Sequence, residues 1–198
     1  EPGNPTVCVR VTPVSFGRSA KAYTTGVHGV ITRTRSYAPE ALDPKVKHWS
    51  RMNFVLADLE ANDVEPGAMA ILRDDRGNIT ESTGSNVFLV SDGVIRSPVD
   101  SAMLQGVSRG MVFDLARQLD IPAIEEDLQP YDLYNADEAF FSTTSPCVLP
   151  MTQVDRREIG NGKPGPVSQQ LLAAWSEAVG VDIVGQAMQF AGKEETTG

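Results

Sequence analysis

Cysteine and histidine are scarce in this chain of 198 residues, and their scarcity excludes several kinds of site. The two cysteines, Cys8 and Cys147, are too few for a disulfide framework or a cysteine-rich zinc module. We expect both thiols to be buried as small hydrophobic side chains. The two histidines, His28 and His48, leave little choice of base for a Ser–His–Asp triad. Since the motifs G-x-S-x-G and H-E-x-x-H are missing, we expect no metal site and disfavour a hydrolase.

Positive charge and long apolar runs are also in short supply. The 17 basic residues are outnumbered by 26 acidic ones, which gives a formal net charge of -9. Such a chain is a poor partner for nucleic acid, because phosphate contacts need clustered Lys and Arg. No apolar run approaches the ~18 residues of a membrane span, and residues 1–5 carry neither an initiator Met nor a signal peptide. We expect a cytoplasmic chain that was processed, cleaved or truncated at its N-terminus.

Hydrophobic residues make up 41% of the chain, which is enough for a sizeable core. Short β-branched or alternating stretches predict strands at residues 7–11, 27–35, 68–73, 86–90, 94–96, 123–128, 139–143 and 148–154. Apolar residues at helical spacing predict helices at 49–62, 106–119 and 167–179, with a short helical turn at 130–135. Residues 186–198 show no pattern and are expected to fray. Because strands and helices mix without strict alternation, the sequence predicts an α+β fold.

Several polar segments are candidates for chemistry, although each also has an ordinary structural explanation. Lys47 precedes a predicted helix and is either an amine nucleophile or a solvated lysine. Glu81 follows a strand and is either a site carboxylate or a surface residue. Residues 106–109 open the clearest amphipathic helix, where free N–H groups bind anions, but Ser108 could instead cap that helix. The hydroxyl run 142–145 is either another anion site or a polar strand end.

The segment 160–165 matches the dinucleotide-binding pattern G-x-G-x-x-G. A dinucleotide fold needs further β–α units after this pattern, which the residues after Gly165 do not provide. Pro164 and Pro166 also restrict the loop and remove N–H donors that a pyrophosphate would use. These features favour a plain turn over a phosphate loop.

Five segments, taken in order, resemble the motifs of one enzyme family over about residues 27–180. They are DPKVKHW with NFVLA (43–57), GNITESTGSNVF (77–88), LQGVSR (104–109), ADEAF to TTS (136–145) and GNGKPGP (160–166). Their order and spacing are similar to those of the fold-type IV pyridoxal-phosphate enzymes, the class IV aminotransferases. This family includes branched-chain and D-amino acid aminotransferases, (R)-amine transaminases and aminodeoxychorismate lyase.

The resemblance implies roles for residues that were ambiguous alone. Lys47 is expected to form the internal aldimine with pyridoxal 5'-phosphate and to shuttle the substrate proton. Glu81 is expected to pair with the pyridine nitrogen, because a carboxylate there keeps the ring an electron acceptor. Leu104 is expected to pack on the face of that ring.

The same resemblance assigns the two anion candidates. The backbone N–H groups of Val107 and Ser108 are expected to hold the cofactor phosphate at a helix N-terminus, where the dipole favours a dianion. Thr144 would add a hydroxyl to that phosphate. Thr144 and Ser145 are also expected to offer N–H groups to a substrate carboxylate.

For the fold, the resemblance implies the large C-terminal domain of a fold-type IV enzyme, with a barrel-like sheet and flanking helices. We expect a leading segment at 1–26, the cofactor-binding domain at 27–185 and a tail at 186–198. We expect the N-terminal lobe of the family to be absent from this chain, ahead of residue 7. Branched-chain members carry a Tyr five residues after the lysine, whereas this chain has Met52, which cannot donate the same hydrogen bond.

The expected activity is pyridoxal-phosphate-dependent transamination between an amino acid or amine and a 2-oxo acid. A C–C lyase of the aminodeoxychorismate type, using the same cofactor, is one alternative. A dinucleotide-binding or non-catalytic binding module is the other. The resemblance also implies a homodimer, with the N-terminal lobe supplied by a companion fragment or another chain.

Overall fold

The computed structural model describes residues 3, 4, 6–99, 101 and 103–194. The helices of this part of the chain are α1 (Ala20–Thr25), α2 (Met52–Val64), α3 (Val107–Gln118), α4 (Pro130–Tyr134), α5 (Pro166–Val179) and α6 (Ile183–Glu194). Its strands are β1 (Val27–Arg35), β2 (Met69–Arg73), β3 (Ile79–Ser82), β4 (Asn86–Ser91), β5 (Val94–Pro98), β6 (Ala123–Glu126), β7 (Glu138–Thr143), β8 (Cys147–Val154) and β9 (Arg157–Glu158). A 3₁₀ turn, Phe16–Ser19, leads into α1.

Six of the strands close into a ring. Along the sheet the order is β3-β2-β1-β8-β7-β4, and β4 also pairs with β3. Strands β5 and β6 extend the sheet beyond β4, and β9 pairs with β8. A closed ring pairs strands that would otherwise be exposed edges. The predicted α+β fold with a barrel-like sheet is therefore confirmed.

Two strand–helix–strand units set the direction of the parallel strands. Strand β1 runs parallel to β2 across α2, and β5 runs parallel to β6 across α3. Parallel neighbours need such a crossover, because a tight hairpin can join only antiparallel strands. As a result, the loop that follows β1 leads into α2, and the loop that follows β5 leads into α3.

Helix α2 packs on the sheet through small residues. Ala57 and Ala61 are fully buried, and Phe54 lies with them against Val30 and Leu72. The alanines let the helix approach the strands closely. The helix itself was predicted correctly, but four of its other apolar side chains lie outside this contact. Those with at least 48% exposure are Met52, Val55, Leu56 and Leu59.

The main core lies between the sheet and helices α3 and α5. Phe88 and Phe140 on adjacent strands stack with ring centroids 5.0 Å apart. Leu115 of α3 and Leu171 of α5 are fully buried in the same cluster. Burying side chains of this size contributes roughly 1.5–3 kcal/mol each, which holds both helices on the sheet.

Two terminal predictions are wrong. The alternating valines of 7–11 form no strand, and Val7, Val9 and Val11 are each more than 80% exposed. The patternless tail is largely helical, since α6 runs to Glu194 and Phe16 packs on Phe190 at 5.6 Å. Residues 195–198, the remainder of that tail, lie outside the described residues.

The two cysteines differ. Cys147 is buried as expected, whereas Cys8 is exposed, which contradicts the expectation for that residue; both thiols are free. Among the described residues, no helix is both long enough and apolar enough to cross a bilayer.

Candidate active site

Four segments of the chain surround one cleft of about 580 Å³. They are the loop before α2, the β3–β4 connection, the entry to α3 and the end of β7. The residues that line it are Lys47, His48, Trp49, Arg51, Glu81, Thr83, Gly84, Ser85, Asn86, Leu104, Gln105, Gly106, Val107, Ser108, Ser142, Thr143 and Thr144. A cleft of this size matches the range of small-molecule sites.

The cleft brings together six of the seven residues singled out from the sequence. These are Lys47, Glu81, Leu104, Val107, Ser108 and Thr144. Ser145 lies elsewhere, in the lining of a second cavity of about 290 Å³ that Thr144 also borders. Residues from distant parts of the chain therefore meet at one place, as the motif order implied.

Lys47 lies in the loop between β1 and α2. Its side chain is exposed at the mouth of the cleft and is not enclosed by apolar groups. The side chain of the neighbouring His48 points inward. Its Nδ1 atom is buried and has no hydrogen-bond partner. The loop therefore presents an accessible amine beside a partly buried imidazole.

Glu81 lies on β3 and is only 5% exposed. Burial raises the pKa of its carboxyl to about 7, since removal from water disfavours the charged form. A hydrogen bond from the Leu104 backbone N–H and the positive charges of Arg51 and Lys47 act in the opposite direction. This carboxyl is thus a buried acid in a cleft, which is the environment of a functional group rather than of a surface glutamate.

The N-terminus of α3 faces the cleft with unpaired backbone donors. The first intrahelical hydrogen bond runs from the Gly110 N–H to the Gly106 carbonyl (3.1 Å), so the N–H groups of Val107 and Ser108 precede it. The N-cap is Gly106, which offers no side-chain cap, and Ser108 lies inside the first turn of the helix. This geometry favours the anion-site interpretation over the capping one.

Asn86 fixes the segment that leads into α3. Its Nδ2 donates to the Leu104 carbonyl (3.0 Å), which ties that segment to β4. A Cβ at Gly106 would lie 2.1 Å from the Asn86 Oδ1 atom, so only glycine fits there. Arg109 is buried on the other side of the helix, where its Nε donates to the Ser97 Oγ (3.0 Å) and it pairs with Glu125.

The turn after β7 closes the cleft opposite α3. The Thr143 hydroxyl donates to the Gly84 carbonyl (3.0 Å), which joins this turn to the β3–β4 connection. Thr144 and Ser145 follow at the exposed turn, and Cys147 begins β8 with φ of 60°. The hydroxyl run thus divides between the cleft and the second cavity.

Sequence reasoning gave no role to two residues of the cleft, Arg51 and Ser85, and considered Ser142 only as part of the hydroxyl run 142–145. Arg51 donates from Nη2 to the Thr83 carbonyl (2.9 Å) and stacks on Phe54. Ser85 and Ser142 are buried, and their hydroxyls have no hydrogen-bond partner. The family motifs contain these positions without marking a role, and only the tertiary contacts show that their side chains reach the cleft.

The dinucleotide pattern occupies a different place. Gly160 and Gly162 form a turn after β9, and Gly165 is the N-cap of α5. The Glu138 carboxylate accepts hydrogen bonds from the N–H groups of Val167 (2.9 Å) and Ser168 (3.1 Å). The position that a pyrophosphate would need is filled by a side chain, so the turn interpretation is correct.

Two other residues considered from the sequence, His28 and Met52, lie outside the cleft. His28 is buried, with its Nδ1 atom 2.8 Å from Glu65 Oε2, and its Nε2 accepts from the Arg156 N–H (3.0 Å). Because Nε2 accepts, Nδ1 carries the proton, and the ring bridges the end of α2 to the β8–β9 turn. Met52 is 64% exposed and does not line the cleft.

The cleft combines an accessible lysine amine, a buried acid and a helix N-terminus, an arrangement suited to an anionic cofactor that carries a ring nitrogen. Comparison with known proteins agrees: the family model described as amino-transferase class IV matches residues 1–154. The chain belongs to this family.

Individual relatives and structures support the assignment. A putative branched-chain-amino-acid aminotransferase of Methanocaldococcus jannaschii is 35% identical over 147 residues, 74% of this chain and 51% of the relative. A D-alanine aminotransferase of Listeria monocytogenes is 32% identical over 68% of this chain and 46% of its own. The branched-chain amino acid aminotransferase of Thermobaculum terrenum, solved in its PLP-form, superposes with a TM-score of 0.74 at 28% identity, covering 85% of this chain and 54% of that one. The chain thus spans about half the length of these proteins.

Proposed function

We propose that this chain supplies the cofactor-binding domain, residues 27–185, of a pyridoxal-phosphate-dependent aminotransferase. The observation that carries the proposal is that Lys47, the buried Glu81 and the N-terminus of α3 line one cleft. The names of its relatives support transamination rather than C–C cleavage, since the curated protein from M. jannaschii and the structural neighbour from T. terrenum are both called aminotransferases.

The residues present fit the cofactor. Its phosphate is an anion that suits the N–H groups of Val107 and Ser108, helped by the dipole of α3. The unpartnered hydroxyls of Ser85 and Ser142 are further donors in the same cleft. Thr144 would add its hydroxyl to the phosphate.

Glu81 would hold the ring nitrogen, and Leu104 would cover one face of the ring. The bound cofactor supplies an electron sink for the bond broken at the substrate carbon. Burial raises the pKa of Glu81 to about 7, but a cationic ring nitrogen beside the carboxyl favours its charged form. Glu81 would therefore be ionised once the ring is in place, and would keep the ring nitrogen protonated.

Lys47 would hold the cofactor through its amine and move a proton during the reaction. Once the substrate amine has displaced it from the cofactor, the Lys47 Nζ would act as the base that takes the proton from the substrate Cα and then as the acid that gives this proton back. The exposed position of Lys47 at the mouth of the cleft gives a substrate access to that amine. In this scheme, Lys47 does the acid–base work and Glu81 sets the electronic character of the ring.

The substrates would be an amino acid or amine and a 2-oxo acid. Backbone N–H groups of Thr144 and Ser145 would bind the substrate carboxylate at the turn after β7. Thr144 borders both cavities, which supports a contact between this turn and a ligand in the cleft. The active protein would be a homodimer, with the remaining half of the relatives' length supplied by a companion segment.

Borohydride fixation tests the proposal directly. The complete protein that carries this chain, loaded with pyridoxal phosphate, should absorb visible light, and borohydride should attach the cofactor to the peptide containing Lys47. Lys47→Ala should lose the attachment and at least about 100-fold of the transamination rate, because the proton-transferring amine is gone.

Lys45→Ala is the matched control, since Lys45 is an exposed lysine of the same loop that does not line the cleft. Attachment at Lys45, or an adduct that survives Lys47→Ala, would overturn the assignment of the lysine. A complete protein that binds no pyridoxal phosphate would overturn the function.

A further inference from the structure

Arg51 is the arginine that lines the cleft, and no family motif assigned it a role. It lies immediately before α2, in the same loop as Lys47. Its side chain borders two cavities, the cleft of about 580 Å³ and a smaller one of about 20 Å³. Glu81 borders the same two cavities. Arg51 and Glu81 therefore border the same two cavities.

The guanidinium is held by two contacts that do not involve Glu81. Nη2 donates to the carbonyl of Thr83, in the connection that follows Glu81, at 2.9 Å. The central carbon of the guanidinium lies 4.0 Å from the centroid of the Phe54 ring, a cation–π distance. A hydrogen bond on one side and a ring on the other fix the position of the charge beside β3.

Three groups that can carry positive charge line the cleft with Glu81. They are Lys47, His48 and Arg51. In the proposed function, the Lys47 amine is the point of cofactor attachment, so it is not a constant charge. A guanidinium, in contrast, stays protonated at all physiological pH values. Arg51 is thus a permanent cation that lines the same cleft as a carboxyl that is only 5% exposed.

We propose that Arg51 is a positioning residue that acts through Glu81: its fixed charge opposes the effect of burial and favours the ionised form of that carboxyl, the form that receives a protonated ring nitrogen. The role in catalysis rests on the proposed function, but the pairing of the two side chains does not. Without the guanidinium, the low-polarity surroundings of Glu81 would favour its neutral form, which cannot hold the ring nitrogen as a cation. This gives the segment before α2 a second contribution to the site, besides Lys47.

Carboxyl carbon-13 NMR on cofactor-free protein, with labelled glutamate, measures this pairing without any enzyme assay. The Glu81 resonance is identified by its loss in Glu81→Gln. Arg51→Gln removes the charge but keeps a donor for Thr83, and we expect it to move the Glu81 titration to higher pH. Arg51→Lys keeps the charge, and its titration should return toward that of the wild type. Arg76→Met is the control, because it removes one positive charge from the exposed β2–β3 turn.

The outcomes separate charge from structure. A Glu81 titration unchanged in Arg51→Gln, or displaced equally in Arg51→Lys, would overturn the proposal, since Arg51 would then act only as a hydrogen-bond donor or packing group. An equal displacement in Arg76→Met would also overturn it, because any lost charge would suffice. If borohydride fails to fix cofactor on the wild type while Arg51→Gln still displaces Glu81, the pairing stands and the aminotransferase function falls.

Discussion

Among single residues, Glu81 shows how an ordinary side chain becomes functional through its environment. The sequence places it after a strand, where a surface glutamate is equally reasonable. In the structure it is 5% exposed, and burial raises the pKa of its carboxyl to about 7. A chain that buries an acid in this way gives up stability at neutral pH, which is measurable.

The pH dependence of stability follows from that raised pKa. The folded chain binds a proton at Glu81 more tightly than the unfolded chain, so stability is greatest below the unfolded pKa of 4.5 and falls as pH rises toward about 7. The raised pKa corresponds to a loss of at most about 3 kcal/mol. Glu81→Gln should remove this dependence, which denaturant unfolding of cofactor-free wild type and variant at about pH 5 and about pH 8 will reveal.

The control is a glutamate on the surface. Glu158→Gln changes the same charge on an exposed residue of β9 and should leave the pH dependence as it is in the wild type. If the wild type and Glu81→Gln change in parallel between the two pH values, Glu81 is not the group responsible.

At the scale of elements, helices α3 and α5 show how one local feature, a glycine N-cap, serves two purposes. Both α3 and α5 have a glycine N-cap without a side-chain cap. At α5 the donors are filled by Glu138, and at α3 they face the cleft. The same backbone chemistry is structural in one helix and available for an anion in the other.

Glu138 should therefore contribute to stability but not to cofactor binding. Glu138→Gln removes the negative charge at the N-terminus of α5 and turns one accepting oxygen into a donor. We expect the free energy of unfolding to fall by about 1–2 kcal/mol. Denaturant unfolding measures the loss, and cofactor titration by absorbance should show an unchanged affinity, since Glu138 does not line the cleft.

The absence of a side chain at the neighbouring Gly165 lets the Glu138 carboxylate approach the N-terminus of α5 closely. A Cβ there would lie 2.0 Å from the Glu138 Cδ, so the carboxylate occupies the space next to the glycine. A Glu138→Gln variant as stable as the wild type would show that the hydrogen bonds, not the charge, hold α5. A loss of cofactor affinity would show that α5 is connected to the site in a way the fold does not indicate.

For the whole molecule, the outer face of α2 is the feature that remains unexplained by the chain's own packing. Trp49 is 94% exposed, and the apolar residues along the next turns of the helix are at least 48% exposed. An apolar face of this kind next to a cleft is typical of an interface. It supports the proposed homodimer, with the cleft close to the contact.

The dimer proposal is testable with one charge. Val55→Glu places a carboxylate on the exposed face of α2, where Val55 is 53% exposed, and should raise the dimer dissociation constant at least about tenfold. Val179→Glu is the matched control, because Val179 is 51% exposed at the end of α5. Light scattering of the complete protein across a concentration series gives both constants. Equal behaviour of the two variants would place the dimer contact elsewhere.

The sequence was most informative where local patterns and motif order agree. Helices α3 and α5, the strand β1 and the turn at Gly160 were located from residue spacing, and ordered motifs selected the residues that line the cleft. It failed at the termini, because the valines of 7–11 alternate like a strand yet find no strand partner in the described structure. The helix α6 was missed although Ile183 and Ala187, four residues apart, are buried in the main core and Phe190 packs on Phe16.

The sequence by itself determined which residue types are available: a lysine before a predicted helix, a glutamate after a predicted strand, and a glycine that opens the clearest amphipathic helix. These follow from local rules of spacing, capping and strand propensity. Only the tertiary structure decided that β3 pairs with β4 to close the ring, that Glu81 is buried, and that Arg51 lines the same cleft. Burial and the distance between charges depend on residues far apart in the chain, and they set the ionisation of the site.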